Sequence, residues 1–106
     1  MKVDRLDDMV RGWFVGDFEP TLYRTTAVEV AVKHYAAGDE EARHHHKIAT
    51  EITAVVSGRV RMDGRELAAG EIVTLAPGES SDFLALTDAT VVAIKLPGAK
   101  HDKYED

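Results

Sequence analysis

Short runs in which apolar and polar residues alternate make up most of the chain between residues 21 and 97. The first run places three valines on one face of a predicted strand and the side chains of Lys33 and Tyr35 on the other. Alternation with a period of two is the pattern of a β-strand, because successive side chains point to opposite faces. About seven or eight such runs at short intervals predict an all-β fold, a small antiparallel barrel or sandwich.

Turn signals separate these runs. Asp63-Gly64 is the strongest hairpin signal in the chain, since both residue types tolerate the positive φ that a tight two-residue turn needs. Val60 and Met62 alternate with arginines just before it, so we expect a strand with one exposed face. Pro77-Gly78 marks a further turn later in the chain.

The two ends of the chain lack this alternation, and we expect one domain whose barrel occupies residues 27–97. Residues 1–26 predict an N-terminal arm with a short helical turn and an aromatic segment that contains Trp13 and Phe18. Large rings mostly serve packing, so we expect them to close the hydrophobic end of the barrel. A flap over a site or a dimer contact are the alternatives. Residues 98–106 predict a charged tail that lies on the surface or touches a partner subunit.

Composition and charge exclude several functions. A chain of 106 residues has the size of one domain. Its formal net charge of -6 disfavours nucleic acid as a partner, because a phosphate backbone requires a basic face. The chain has no cysteine, so imidazole and carboxylate groups would have to hold any transition metal. We expect no membrane association and a cytoplasmic location, since the sequence has neither a run of about 18 apolar residues nor a secretory leader.

Three side chains near the middle of the chain form a candidate metal site. His44 and His46 are one residue apart, so a strand projects both imidazoles from one face and His45 from the other. Glu51 follows and opens the strand-like run EITAVVS. Two imidazoles and one carboxylate leave coordination positions open, and this set suits Fe(II) but also admits Mn, Co, Ni or Zn. A metal-free acid/base pocket built from the same three residues is the alternative.

The remaining histidines are weaker candidates for this site. His34 has the parity of the valines in its strand, so we expect it to pack rather than to ligate a metal. His101 lies in the charged tail, where we expect it to be solvated.

The spacing around the candidate site resembles a known signature. Gly38, His44, His46, Glu51 and Gly58 are spaced as in the first signature of the cupin superfamily. The resemblance implies a small antiparallel barrel, the double-stranded β-helix or jelly roll, that holds a divalent transition metal at one end.

A second stretch resembles the other cupin signature less completely. Gly70, Pro77 and Gly78 stand at its turn positions, but Ser81 occupies the place of its usual histidine. The resemblance therefore implies three protein ligands, with Ser81 as a poor fourth. Asp82 could substitute only if a bulge turned its carboxylate inward, because neighbouring residues of a strand face opposite ways.

Cupins include both enzymes and binding proteins, so the resemblance leaves the function open. We favour a metal-dependent enzyme for a small oxygenated substrate, a sugar derivative or a keto acid, of the isomerase/epimerase or dioxygenase type. The catalytic candidates are Glu51, Tyr35 and Lys95, with Lys33 as a further group that strand parity could turn toward the cavity. A lysine there would favour an anionic substrate. The alternative is a non-catalytic module that binds or senses a small molecule or a metal.

We also expect a homodimer. Small barrels of this kind commonly pair, and an isolated barrel of this length has little core to spare. The segment around Trp13 and Phe18 is the predicted contact.

Overall fold

The computed structural model describes residues 1–106, and nearly all of its regular structure is β-strand. A single 3-10 turn, Leu6–Asp8, precedes ten strands: β1 Trp13–Val15, β2 Glu29–Tyr35, β3 Glu40–His45, β4 Thr50–Ser57, β5 Arg59–Met62, β6 Arg65–Ala68, β7 Ile72–Leu75, β8 Ser80–Ala85, β9 Ala89–Leu96 and β10 Tyr104–Glu105. They form two five-stranded sheets, in the orders β1-β2-β9-β4-β7 and β10-β3-β8-β5-β6, and all pairings are antiparallel. No helix has the length and apolarity needed to cross a membrane.

The hydrophobic core lies between the two sheets. Val60 and Val91 are its largest fully buried side chains. The same cluster contains Val55, Met62, Leu67, Phe83, Ala85 and Ala89. Each sheet supplies these residues from alternate positions, which is how two layers of strands share one core. The predicted all-β antiparallel double-stranded fold is confirmed.

The predicted hairpin is confirmed at residues 63 and 64. Asp63 and Gly64 have φ values of 49° and 77° and join β5 to β6, as a two-residue turn with positive φ at both positions requires. In β5 the arginines are exposed while Val60 and Met62 are buried, again as predicted. The first alternating run, residues 21–37, is only partly a strand, because β2 begins at Glu29 and ends at Tyr35.

Gly58 shows why glycine stands in the tight connection between β4 and β5. Its φ is 81°, and a Cβ atom there would lie 2.1 Å from the carbonyl oxygen of Asp88. Any other residue would push this turn away from the start of β9, so the position is set by backbone packing.

The valine face of β2 lies outside the barrel. Ala31 is fully buried, so its neighbours of like parity, Lys33 and Tyr35, face inward, whereas Val30 and Val32 face outward. The prediction that His34 packs in the interior is therefore wrong. His34 is exposed, and its Nδ1 atom lies 2.9 Å from Thr90 Oγ1.

The C-terminal segment is integrated into the fold more closely than a surface tail would be. Tyr104 and Glu105 form β10, which pairs with the end of β3 opposite His45 and His44. Most of the segment is exposed, but Asp102 is buried. The prediction of a surface tail thus fails at Asp102, because its carboxylate has backbone partners inside the protein.

Candidate metal centre

Three side chains converge where β3 passes into β4. His44 is near the end of β3, His46 directly follows that strand, and Glu51 is the second residue of β4. One ligand atom from each of the three lies within 4.8 Å of the others. A divalent ion bound at about 2.0–2.2 Å from its ligands fits between donor atoms at such separations.

One ring nitrogen of His46 makes a hydrogen bond, and the other has no hydrogen-bond partner. Its Nδ1 lies 2.8 Å from the carbonyl oxygen of Asp102, and because a carbonyl can only accept, Nδ1 carries the proton. In the neutral ring the Nε2 lone pair is then free. That atom is buried, has no hydrogen-bond partner, and lies 3.1 Å from a carboxylate oxygen of Glu51. Two acceptors that face each other in a buried site need a cation between them, which is either a proton on Nε2 or a bound metal ion.

His44 is oriented in the same way by its own strand. Its Nδ1 donates to the carbonyl oxygen of Ala42 at 2.8 Å, which leaves Nε2 as the atom with the free lone pair. The His44 and His46 rings stand edge to face, with centroids 5.4 Å apart and planes at 88°. Two imidazole nitrogens and one carboxylate oxygen are therefore preset as donors, and this set fits a divalent transition metal.

Glu51 is ionised despite its position inside the barrel. Burial raises the pKa of this carboxyl, but contact with His46 and the positive charges nearby outweigh burial, so its pKa lies below the ordinary value. Lys95 on the adjacent strand contributes to this effect and lies opposite Glu51 in the register of β4 and β9. The site thus presents a carboxylate, the form that binds metals.

Ser81, which stands where the second cupin signature has a histidine, lies beside the cluster but provides no metal ligand. Ser81 pairs with His44 across β3 and β8 and is 3% exposed. Its hydroxyl donates to the backbone carbonyl of Asp82 at 2.7 Å. Asp82 is exposed, and its carboxylate accepts the backbone N–H of Asp63. The local bulge that would turn Asp82 inward is absent, since β8 keeps its alternation.

A second polar cluster lies on the inner face of β2 next to the three residues. The Tyr35 hydroxyl donates to Glu41 at 2.6 Å, and the Lys33 ammonium lies 3.8 Å from the same carboxylate oxygen. Burial raises the pKa of Glu41, yet Tyr35 and Lys33 together hold it below the ordinary value. Burial lowers the pKa of Lys33, and Glu41 only partly offsets this. Burial and the carboxylate both raise the pKa of Tyr35.

The three residues open into a cleft of about 840 Å³. Trp13 forms part of its wall, with the ammonium groups of Lys33 and Lys95 at 5.3 and 4.9 Å from the ring centroid, within cation–π range. Arg11 and Lys103 also line the cleft. Trp13 therefore borders the site, and it lies in the short strand β1, whose pairing with β2 is shifted in register between Trp13 and Val15.

The other two histidines near the tail face elsewhere. His45 points away from its neighbours and contacts the carboxylate of Asp106 at 2.6 Å, with its ring stacked on Tyr104. His101 is exposed, as predicted.

Sequence patterns did not reveal two residues that shape the site. Glu41 stands in the charged segment before the histidines, where a carboxylate is indistinguishable from a solvated one. Asp102 lies in an apparently featureless tail. Glu41 bonds to Tyr35 and Asp102 bonds to the loop at residues 47–49, and alternation along one strand cannot report either contact.

Comparisons with known proteins support the fold. No protein-family model matches the sequence, and no curated protein is significantly similar to it. Among solved structures, a double-stranded β-helix protein from Klebsiella pneumoniae matches with a TM-score of 0.74 and 22% identity, over 98% of this chain and 90% of the other. A cupin protein from Bacteroides fragilis matches with a TM-score of 0.59 and 26% identity, over 76% and 74%.

An enzyme is among these structural neighbours. A cupin sugar phosphate isomerase from Silicibacter pomeroyi matches with a TM-score of 0.62 and 19% identity, over 66% of this chain and 50% of the other. Likeness at this level of identity concerns the fold and leaves the activity open. The fold is that of these double-stranded β-helix proteins, and the spacing of the glycines, histidines and glutamate resembles the first cupin signature.

Proposed function

We propose that this cupin is a metal-dependent enzyme that acts on a small, oxygenated, anionic substrate by moving a proton, as in an isomerisation or epimerisation. The buried Nε2 of His46 carries this proposal, because it lacks a hydrogen-bond partner and faces a carboxylate oxygen at 3.1 Å. His44, His46 and Glu51 would hold the ion, which is Fe, Mn, Zn, Ni or Co. A bound ion of this kind polarises a carbonyl or hydroxyl oxygen of the substrate.

The cations of the cleft support an anionic substrate. Lys95, Arg11 and Lys103 line the cleft, and no carboxylate lies within ion-pair distance of them. Lys95 is the one nearest to the proposed ligands, since it pairs with Glu51 across the strands. A carboxylate or phosphate on the substrate would replace the missing counter-ion. The Lys95 ammonium lies 4.9 Å from the centroid of the Trp13 ring, which also lines the cleft.

Glu41 and Tyr35 are the groups that we assign to proton transfer. Glu41 lines the cleft as a carboxylate and can accept a proton from a substrate carbon or hydroxyl. The Tyr35 hydroxyl already donates to it at 2.6 Å, which fixes the carboxylate's orientation. The protonated Glu41 would then return the proton to the neighbouring atom of the substrate.

A non-catalytic binding or sensing module is the second candidate, and one observation favours it. Ser81 stands where the cupin signature has a histidine, and its hydroxyl is turned toward the backbone of Asp82. An ion held by three protein ligands binds less tightly than one held by four. The module would bind the same anions without converting them.

Metal content and turnover separate these possibilities. Protein purified after growth with each of the five metals should contain about one ion per chain, and His44→Ala and His46→Ala should contain almost none. His34→Ala is the matched control, since that exposed histidine contacts Thr90 and is not one of the three clustered residues. Absence of metal from the parent protein under every condition would overturn the metal-dependent function.

Turnover is then tested with a panel of sugar phosphates, uronic acids and keto acids in deuterated water. Isomerisation or epimerisation should introduce solvent deuterium at the carbon that loses its proton, which NMR detects. Glu41→Gln should abolish this exchange while the metal stays bound. Saturable binding of one of these anions with no exchange or conversion would establish the binding module instead.

A further inference from the structure

The carboxylate of Asp102 is enclosed by the loop that joins the proposed ligands. It accepts the backbone N–H groups of Lys47, Ile48 and Ala49 at distances of 3.0 to 3.2 Å. This loop links His46 to the strand that carries Glu51. A carboxylate that accepts several backbone N–H groups fixes their direction, because the bonds are charge-assisted.

The backbone of the same residue holds the ring of His46. The Asp102 carbonyl accepts the Nδ1 proton at 2.8 Å, so one residue controls both the loop and the tautomer. His44 has no such remote support, since its Nδ1 bonds to Ala42 in its own strand. The two histidines thus differ in what orients them.

We propose that Asp102 is a positioning residue of the metal centre, whose carboxylate and backbone carbonyl together clamp His46 with Nδ1 protonated and Nε2 toward the site. The strand β10 adds to this by pairing with β3 beside His44 and His45. The inference rests on the proposed metal-binding function. Its consequence is that metal affinity depends on a segment that contributes no ligand.

The test compares Asp102→Asn and Asp102→Ala with Asp106→Asn, which removes the same charge from the same segment but contacts Arg43 and His45 instead. Zinc and cobalt(II) titrations should show a loss of affinity of about 10–100-fold in Asp102→Ala and a smaller loss in Asp102→Asn. Asp106→Asn should stay within about twofold of the parent. Should Asp102→Ala not fold, Asp102→Asn carries the comparison.

A second readout uses the metal-free protein, so its result does not depend on whether the protein binds metal. The Nδ1 proton of His46, which is bonded to the Asp102 carbonyl, should exchange slowly with solvent in the parent and rapidly in Asp102→Ala, as followed in ¹H–¹⁵N spectra. The amides of Lys47, Ile48 and Ala49 should exchange faster in both Asp102 variants. Unchanged proton exchange at all these sites, together with unchanged metal affinity, would overturn the clamp. A parent that binds no metal, with Asp102 variants that still show the faster exchange, would refute the proposed function alone.

Discussion

The two faces of the sheet β1-β2-β9-β4-β7 carry different side chains near the proposed metal. The inner face carries Lys33, Tyr35, Glu51 and Lys95 beside buried core residues such as Val91. The outer face carries two cross-strand rows without charged side chains: Val30, Ile94, Ile52 and Thr74 in one, and Val32, Val92, Ala54 and Ile72 in the next. Polar groups inside are tolerated because each has a partner or lines an open cleft.

The difference shows that alternation along a strand does not by itself say which face is buried. Chemistry occupies part of the inner face, and the hydrophobic burial that this part lacks is supplied by the core around Val60 and Val91. The following substitutions act on one face at a time.

Glu51→Gln has the largest expected effect. It keeps the shape of the side chain but removes the charged donor, so we expect metal affinity to fall by more than about 100-fold, beyond the range of supporting residues. Calorimetric titration with zinc measures the affinity. Glu66→Gln, on the exposed strand β6, is the control.

A Glu51→Gln protein that binds zinc as tightly as its parent would remove the carboxylate from the ligand set. An Ile52→Glu protein that lost its metal would show that the two faces are coupled. Either result would contradict the assignment of metal binding to the inner face of the sheet alone.

Ser81→His should strengthen the site. It restores the histidine of the second cupin signature directly opposite His44, beside a small cavity of about 40 Å³ lined by His44, Glu51 and Ser81. A fourth ligand worth about 1.4 kcal/mol would raise metal affinity about tenfold. Competition with a chelator of known affinity measures the change. Ser80→His, one residue earlier on the same strand, is the control, and equal gains in both variants would count against the assignment.

Lys95→Met should weaken anion binding without loss of metal. The group is partly exposed, so the ion pair with a substrate anion is worth up to about 1 kcal/mol, or about fivefold in KM or Kd. The effect should shrink at high salt because exposed charges are screened. Arg61→Met provides the control. An unchanged Kd for every anion that binds would exclude Lys95 from the substrate site.

Glu41→Gln has the smallest expected effect, on stability and its pH dependence. The folded-state pKa of Glu41 lies below the ordinary value of 4.5, so the carboxylate stabilises the fold above that pH. This contribution disappears as the pH falls through the folded-state pKa. The Tm of the variant should lie about 4–8 °C below that of the parent at pH 7, for a loss of about 1 kcal/mol.

The difference in Tm should narrow as the pH falls below 4.5 and through the folded-state pKa of Glu41. Glu40→Gln, an exposed neighbour, should match the parent throughout. A Glu41→Gln difference that is constant with pH would mean that the charge of Glu41 does not contribute.

The fold was predictable because strands and turns leave local signals. The hairpin at Asp63 and the buried alternation of Val60 and Met62 follow from neighbouring residues alone. The convergence of His44, His46 and Glu51 was also anticipated, since one strand and the start of the next supply all three. The inward orientation of Lys33 was harder, because the more apolar face of β2 is the outer one.

The contribution of Asp102 could not be predicted for a different reason. Its partners are the backbone groups of residues 47–49 and the ring of His46, more than fifty residues away in the chain. Backbone N–H groups are the same at every position, so they leave no pattern in the sequence.

Anomalous diffraction from a crystal grown with cobalt(II), recorded on both sides of the cobalt edge, tests the metal centre most directly. We predict one strong peak about 2.0–2.2 Å from Nε2 of His44, Nε2 of His46 and a carboxylate oxygen of Glu51, with the Nδ1 atom of His46 still bonded to Asp102. Ordered side chains with no peak between them, or a peak held by other residues, would contradict the account.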